Sequence, residues 1–269
     1  MTETQTPKLP PPVESRIGRV IAVMSGKGGV GKSTVAALLA ASLARRGFKV
    51  GVLDADVTGP SIPRLLGVTD KPVPFDLGIL PARSRGGILV MSLNLLLENE
   101  DDPVVWRGPL ISGAVKQFWT DVVWGDLDYL VVDLPPGTGD APLTVLQSLP
   151  VSGVLVVSSP QELAAMVVKK AIKMARKLDT PVIGLVENMT VVGCPHCGAD
   201  IPVFGPSGAK RLCKEAGVPY LGSLPLDPEL SRLGDSGRLE EYTTTLLDDI
   251  PKLLPPAPPD HGEGGGEEE

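Results

Sequence analysis

The sequence predicts an α/β fold, a doubly wound and mainly parallel sheet flanked by helices. Three observations carry this. Apolar strand-like runs alternate with helix-forming segments along the chain. Most of those runs are near-continuous rather than alternating, as parallel strands covered on both faces require. Aromatic residues make up only 4% of the 269 residues, while the small and aliphatic types that fill helix–sheet interfaces are abundant. A chain of this length can bury a full core as one domain.

Residues 1–17, with Pro7, Pro10, Pro11 and Pro12, read as a disordered or extended proline-rich arm. The domain is expected over 18–254. Its first strand is placed at 19–24, followed by a glycine-rich turn and a helix through Val35–Ala44 that Gly47 stops. Further strands are expected at 49–54, 88–93, 129–133, 153–158 and 181–186, with a shorter one near 219–222. The clearest helix is 161–178, where Leu163, Val167, Ala171, Met174 and Leu178 recur at helical spacing. Residues 255–269 read as a disordered acidic tail.

Charge and composition exclude some function classes. The net charge is −7, but Asp260, Glu263, Glu267, Glu268 and Glu269 supply −5 of it, which leaves the body near neutral. No basic stripe stands out, so nucleic acid is not an expected partner. No apolar run reaches the ~18 residues that span a bilayer. The N-terminal residues are polar and carry no apolar signal core, so no membrane association and a cytoplasmic location are expected.

The segment Ser25-Gly26-Lys27-Gly28-Gly29-Val30-Gly31-Lys32-Ser33-Thr34 follows the first strand and opens the first helix. Gly26 and Gly31-Lys32-Ser33 stand in the G-x-x-x-x-G-K-[ST] spacing of a phosphate-binding loop. The glycines let backbone N–H groups close on phosphate oxygens, and the helix N-terminus adds partial positive charge. Lys32 is expected on the β/γ-phosphates of ATP and the Ser33 hydroxyl on Mg²⁺. Lys27 is extra, since a phosphate loop needs only one lysine.

Two other strands end in acids. Asp133 suits an outer-sphere role toward Mg²⁺, and Asp56 suits positioning of the attacking water. Gly137 could bring a backbone N–H to the γ-phosphate because it lacks Cβ. Asp54 and Asp140 read equally well as caps of the turns that follow them.

Cys194-Pro195-His196-Cys197-Gly198 lies in a loop after the 181–186 strand. Two cysteines spaced C-x-x-C can grip one face of a metal site, but a tetrahedral Zn²⁺ or a four-iron cluster usually takes four ligands. Cys213 sits on a helix pattern with Ala209, Leu212 and Ala216 that faces a core, so it reads as packing rather than ligand. His196 is expected to point outward. The simplest completion is a two-fold dimer in which each subunit contributes Cys194 and Cys197. From these residues alone, zinc and an iron–sulfur cluster both stand, with zinc slightly ahead.

The stretch from Lys27 to Thr34 resembles the deviant Walker A signature of the MinD/ParA/Mrp/nitrogenase iron-protein class. Asp54-Ala55-Asp56…Gly59-Pro60-Ser61 is similar to its switch I segment, and Asp133-Leu134-Pro135-Pro136-Gly137-Thr138-Gly139-Asp140 to its switch II. Trp106-Arg107-Gly108-Pro109 and Glu187-Asn188-Met189 narrow the resemblance to the Mrp/ApbC branch, over residues 19–250 or thereabouts. It implies a SIMIBI-type P-loop NTPase and a slow ATPase in which Lys27 reaches across a homodimer to the partner's nucleotide. It also implies that Asn188 contacts the adenine, that the segment around Pro225 lines the base pocket, and that the cysteine pairs hold a subunit-bridging [4Fe-4S] cluster. The expected function is then ATP-dependent transfer of that cluster, received from a donor, to apo iron–sulfur proteins. The alternative is a MinD/ParA-like positioning ATPase with a structural Zn²⁺. It fits less well, because the chain shows neither a basic C-terminal amphipathic helix nor a basic face. A nitrogenase-like electron carrier ranks third, since the cysteines of that protein stand far apart in sequence.

Overall fold

In the computed structural model, the residues described are 9, 12–56, 59–97 and 108–255. The acidic tail, Val57-Thr58, Trp106-Arg107 and most of the proline-rich arm lie outside them.

The first strand, β1 (Arg16–Ser25), is followed by α1 (Lys32–Arg45), β2 (Val50–Asp54) and the single turn of α2 (Ile62–Leu65). A small excursion follows, with β3 (Val73–Phe75), β4 (Gly78–Leu80) and β5 (Ala82–Arg83). The chain then re-enters the sheet as β6 (Leu89–Ser92), and continues through α3 (Gly108–Thr120), β7 (Asp126–Asp133), α4 (Asp140–Ser148), β8 (Gly153–Ser158), α5 (Glu162–Lys177) and β9 (Val182–Glu187). After β9 comes a short antiparallel hairpin, β10 (Val192–Gly193) and β11 (Asp200–Ile201). The last elements are α6 (Ala209–Ala216), β12 (Tyr220–Ser223), α7 (Pro228–Asp235) and α8 (Ile250–Leu253).

Eight strands form one sheet in the order β12-β9-β8-β1-β7-β2-β6-β5, parallel except for the β5 edge. The central β1 pairs with β7 on one side and β8 on the other, so its C-terminal end opens mid-sheet. Non-sequential neighbours there put the loops after β1, β7 and β2 at one crevice, where doubly wound sheets take ligands. Each face of the sheet carries its own apolar core. One packs α1 with Ile62, Leu230, Leu239 and Ile250, and the other packs α3, α4, α5 and α6 around Trp119, Leu146, Ile172 and Leu212.

All seven expected strands are present, each within three residues of its expected bounds. The β1 strand starts inside the stretch read as an arm, and Leu9, Val13 and Ser15 are bonded to the body: Leu9 N–H donates to Ser148 O, Val13 N–H to Thr120 O, and the Ser15 hydroxyl accepts from Trp124 N. The described part of the arm is therefore packed rather than disordered. Three short pairings carry no strong sequence signal: β3–β4, β5 and β10–β11. Their two- and three-residue strands are too short to show periodicity.

Candidate functional site

Six buried residues at the end of β1 bring Gly26 to the sheet edge. There α5 lies so close that a Cβ on Gly26 would stand 2.3 Å from Val167 Cγ1. The turn then passes through two left-handed residues, Gly29 (φ 76°) and Gly31 (φ 77°), before α1 begins at Lys32. Among the described residues, a Cβ on Gly28 or Gly29 would meet nothing within 4 Å. Gly31 is enclosed, since its Cβ would fall 2.1 Å from Asn188 Nδ2. No side chain caps α1, and its first turn holds no acid. Its leading N–H groups are thus left for an anion.

Lys32 is buried beneath this loop with three carboxyls. Its Nζ lies 2.6 Å from Asp133 Oδ1 and 3.5 Å from Asp56 Oδ2. Asp54 and Asp133 are register partners on adjacent strands and both have no exposed surface. Burial, then the Asp133 carboxylate, pushes Asp54 up to about 8, while burial raises Asp133 against the pull of Lys32. One ammonium is thus shared by more negative charge than it can neutralise. Asp54 also ties down the segment that follows β2, accepting from Asp56 N at 3.2 Å, Ile62 N at 3.3 Å and the Ser92 hydroxyl at 3.2 Å. The cap reading of Asp54 therefore holds in part, because it anchors the start of α2. Asp140 lies in the first turn of α4.

The Ser33 hydroxyl accepts from Lys32 Nζ at 3.3 Å, the ammonium that also contacts Asp133, and Asp133 Oδ2 is buried without a hydrogen-bond partner among the described residues. A hydroxyl oxygen and an orphaned carboxylate oxygen side by side form the hard-oxygen donor set that suits Mg²⁺ and its waters. The residues present fit that ion.

Two residues expected at the phosphates have partners within the chain. Gly137 (φ 94°) donates its N–H to Ser25 O at 3.0 Å, and Lys27 Nζ donates to the Gln161 side chain at the start of α5. Nothing in the sequence singled out Gln161, because a glutamine after a strand end carries no spacing signal.

Asn188, buried at the end of β9, donates from Nδ2 to Val30 O at 3.0 Å, and its N–H donates to Ser158 O at 2.7 Å. It therefore contacts the phosphate loop directly. Beside it opens a cavity of about 320 Å³, lined by Thr34, Asn188, Met189, Pro225, Asp227 and Leu230 among others. Asp227 caps α7 by accepting from Glu229 N and also accepts from Tyr242 Oη at 2.9 Å.

Cys194 and Cys197 occupy the turn between β10 and β11, which the sequence placed in a loop. Cys194 N–H donates to Ala199 O and Gly198 N–H to Cys194 O, so the turn is closed on itself. Cys194 is half-buried and Cys197 exposed. Backbone N–H groups of His196 and Cys197 and the Cys197 thiol point at Cys194 and lower its thiol pKa. Among the described residues, no group of three or more His, Cys, Asp or Glu side chains is arranged to hold a metal ion. Cys213 is buried in the core on α6, and burial pushes its thiol up to about 11, so it is packing, as its helix position implied.

This geometry matches known proteins over most of the chain. The ParA family model, described as an iron-transfer P-loop NTPase of the NUBPL type, covers residues 16–250. The chain belongs to this family. An iron-sulfur cluster carrier protein of Methanocaldococcus jannaschii is 49% identical over 225 residues, 83% of this chain and 78% of that one. Its counterpart in Clostridium perfringens is 45% identical over 234 residues, 84% of this chain and 82% of that one. A nucleotide-binding protein of Archaeoglobus fulgidus, solved in complex with ADP, superposes with a TM-score of 0.78 at 48% identity, over 87% of this chain and 93% of the other. MinD of Aquifex aeolicus, at 21% identity and a TM-score of 0.60 over 87% of this chain and 96% of that one, shares the fold. The family is that of iron-transfer P-loop NTPases, and the α/β class expected from strand patterning is the observed one.

Proposed function

We propose that this protein is an ATP-dependent iron–sulfur cluster carrier, which binds a [4Fe-4S] cluster between two subunits and delivers it to apo-proteins. One observation carries the reading: an accessible C-x-x-C pair with a lowered thiol is mounted on the same sheet edge as a complete phosphate loop. Two thiolates per chain are half of a four-thiolate site, and a second copy is the simplest source of the other half. The names carried by relatives at 45–49% identity agree.

ATP would draw Lys32 off Asp133 and Asp56 onto its β/γ-phosphates, because three phosphates offer more charge than the carboxyls they replace. Ser33 and Asp133 would hold Mg²⁺, which supplies charge neutralisation on the phosphate oxygens. Asp56, released from Lys32, would orient the attacking water. Lys27 would leave Gln161 for the partner's nucleotide, and Gly26, Gly28, Gly29, Val30, Gly31 and Thr34 would wrap the phosphates. Asn188 and the Pro225 segment would take the adenine in the 320 Å³ cavity. Gly137 would exchange its bond to Ser25 for the γ-phosphate. Hydrolysis is expected to be slow, with a cytoplasmic setting and a separate cluster donor. Among the described residues no helix is long and apolar enough to cross a membrane.

The test is transfer. Cluster-loaded protein is mixed with an apo enzyme whose activity returns only with its [4Fe-4S] cluster, with and without MgATP. Recovery that needs the carrier, and changes rate with MgATP, supports the reading. Recovery no faster than from free iron and sulfide sinks it, and a tightly held zinc would favour a structural metal.

A further inference from the structure

The segments that enter and leave the cysteine hairpin are both hydrogen-bonded to residues next to the lining of the 320 Å³ cavity. On the entering side, Thr190 donates its N–H and hydroxyl to Leu224 O, each at 3.1 Å, and Leu226 N–H donates to Val191 O at 2.7 Å. Leu224 and Leu226 flank Pro225 of the 320 Å³ cavity. On the leaving side, the Ser207 hydroxyl lies 2.8 and 2.6 Å from the two carboxylate oxygens of Glu187. Glu187 is 2% exposed and is joined through one peptide bond to Asn188, whose side chain holds the Val30 carbonyl of the phosphate loop.

A buried carboxylate is costly unless its oxygens are satisfied. Here the Ser207 hydroxyl and, at a longer 3.5 Å, the Tyr220 hydroxyl satisfy them. Ser207 in turn accepts from Ala209 N at 3.1 Å, which links the same hydroxyl to the start of α6. Both residues line a cavity between α5 and α6, so the contact is not locked by packing on every side.

We propose that Glu187 and Ser207 are positioning residues that transmit the state of the phosphate loop to the cysteine pair. A nucleotide that fills the loop and shifts Asn188 moves the Glu187 carboxylate, and Ser207 carries that shift to the segment that leaves the hairpin, six residues beyond β11. This assignment rests on the carrier reading and adds to it the physical route of coupling. A bond between neighbouring elements is a route only if breaking it changes the coupling, which is a measurable free energy and is reciprocal.

The experiment titrates Co²⁺ onto the full-length protein, reading thiolate charge-transfer absorption, with and without ADP. It also titrates ADP with and without Co²⁺. In the wild type, ADP is expected to change Co²⁺ affinity at least about fivefold, and Co²⁺ to change ADP affinity by the same factor. Ser207→Ala should bring both factors below about twofold while leaving each site's own affinity within about twofold of wild type. Ser207→Thr, which keeps the hydroxyl, should restore the coupling. Undiminished coupling in Ser207→Ala overturns the assignment alone. A variant in which both intrinsic affinities fall but the factor persists also overturns it, since that marks a merely structural role. No coupling in the wild type overturns this route and the nucleotide-dependent carrier reading together.

Discussion

Lys32 Nζ rests 2.6 Å from Asp133 Oδ1, in a pocket where Asp54 and Asp133 have no contact with solvent. Lys32 serves here as counter-ion to the buried carboxyls of Asp133 and Asp56. Its removal leaves buried carboxyls without their cation, a loss of about 3 kcal/mol. Lys32→Ala should therefore lose ATP binding and also unfold more easily at pH 8. The destabilisation should shrink at pH 5, where the orphaned acids take up protons. Urea unfolding at the two pH values checks this, and an equal loss at both would contradict it.

Asp54 gives the protein a second pH dependence. Its folded pKa of about 8 stands far above its ordinary value of 3.8. Between those values the folded state holds a proton that the unfolded state has released. Stability should therefore fall as pH rises through this window and level off above it. Asp54→Asn should flatten the slope of unfolding free energy between pH 5 and 8, whatever its absolute stability. A slope unchanged by the substitution would assign the dependence to other groups.

The loop and carboxyl cluster around Lys32 was legible because its signal is local. Gly26, Lys32 and Ser33 lie within eight residues, Asp133 ends an apolar strand that was correctly placed, and Asp56 stands two residues after another. Asn188 and Pro225 were reached only through resemblance, since a polar residue at a strand end has no spacing to betray it. Gln161, Glu187 and Ser207 matter through contacts between segments distant in sequence, which no periodicity records. The β10–β11 hairpin was read as a loop because two-residue strands show no alternation.

Gly31 is the least replaceable residue of the loop. A methyl group there meets both a left-handed backbone at φ 77° and Asn188 Nδ2 at 2.1 Å. Gly31→Ala should cost roughly 1–3 kcal/mol of stability and displace Asn188. Its affinity for ADP should drop more than that of Gly28→Ala, where the added Cβ meets nothing within 4 Å. Calorimetric titration of both variants decides the order.

Lys27 is held within its own subunit by Gln161. If Lys27 must be released to reach a partner's nucleotide, Gln161→Ala lowers the cost of release by about one hydrogen bond. Dimerisation with a non-hydrolysable ATP analogue should tighten roughly 2- to 10-fold, as read by sedimentation. Lys27→Ala should abolish it. Weaker dimerisation in Gln161→Ala would show that the glutamine supports the interface instead.

On the proposed function, Cys194 and Cys197 of two chains hold one cluster. Anaerobic reconstitution with iron and sulfide, followed by Mössbauer spectra and iron counts, tests it on wild type and Cys194→Ala. One [4Fe-4S] cluster per dimer, two irons per chain, is expected for the wild type, and none for the variant. Four irons per monomeric chain, or a cluster that survives Cys194→Ala, would contradict it.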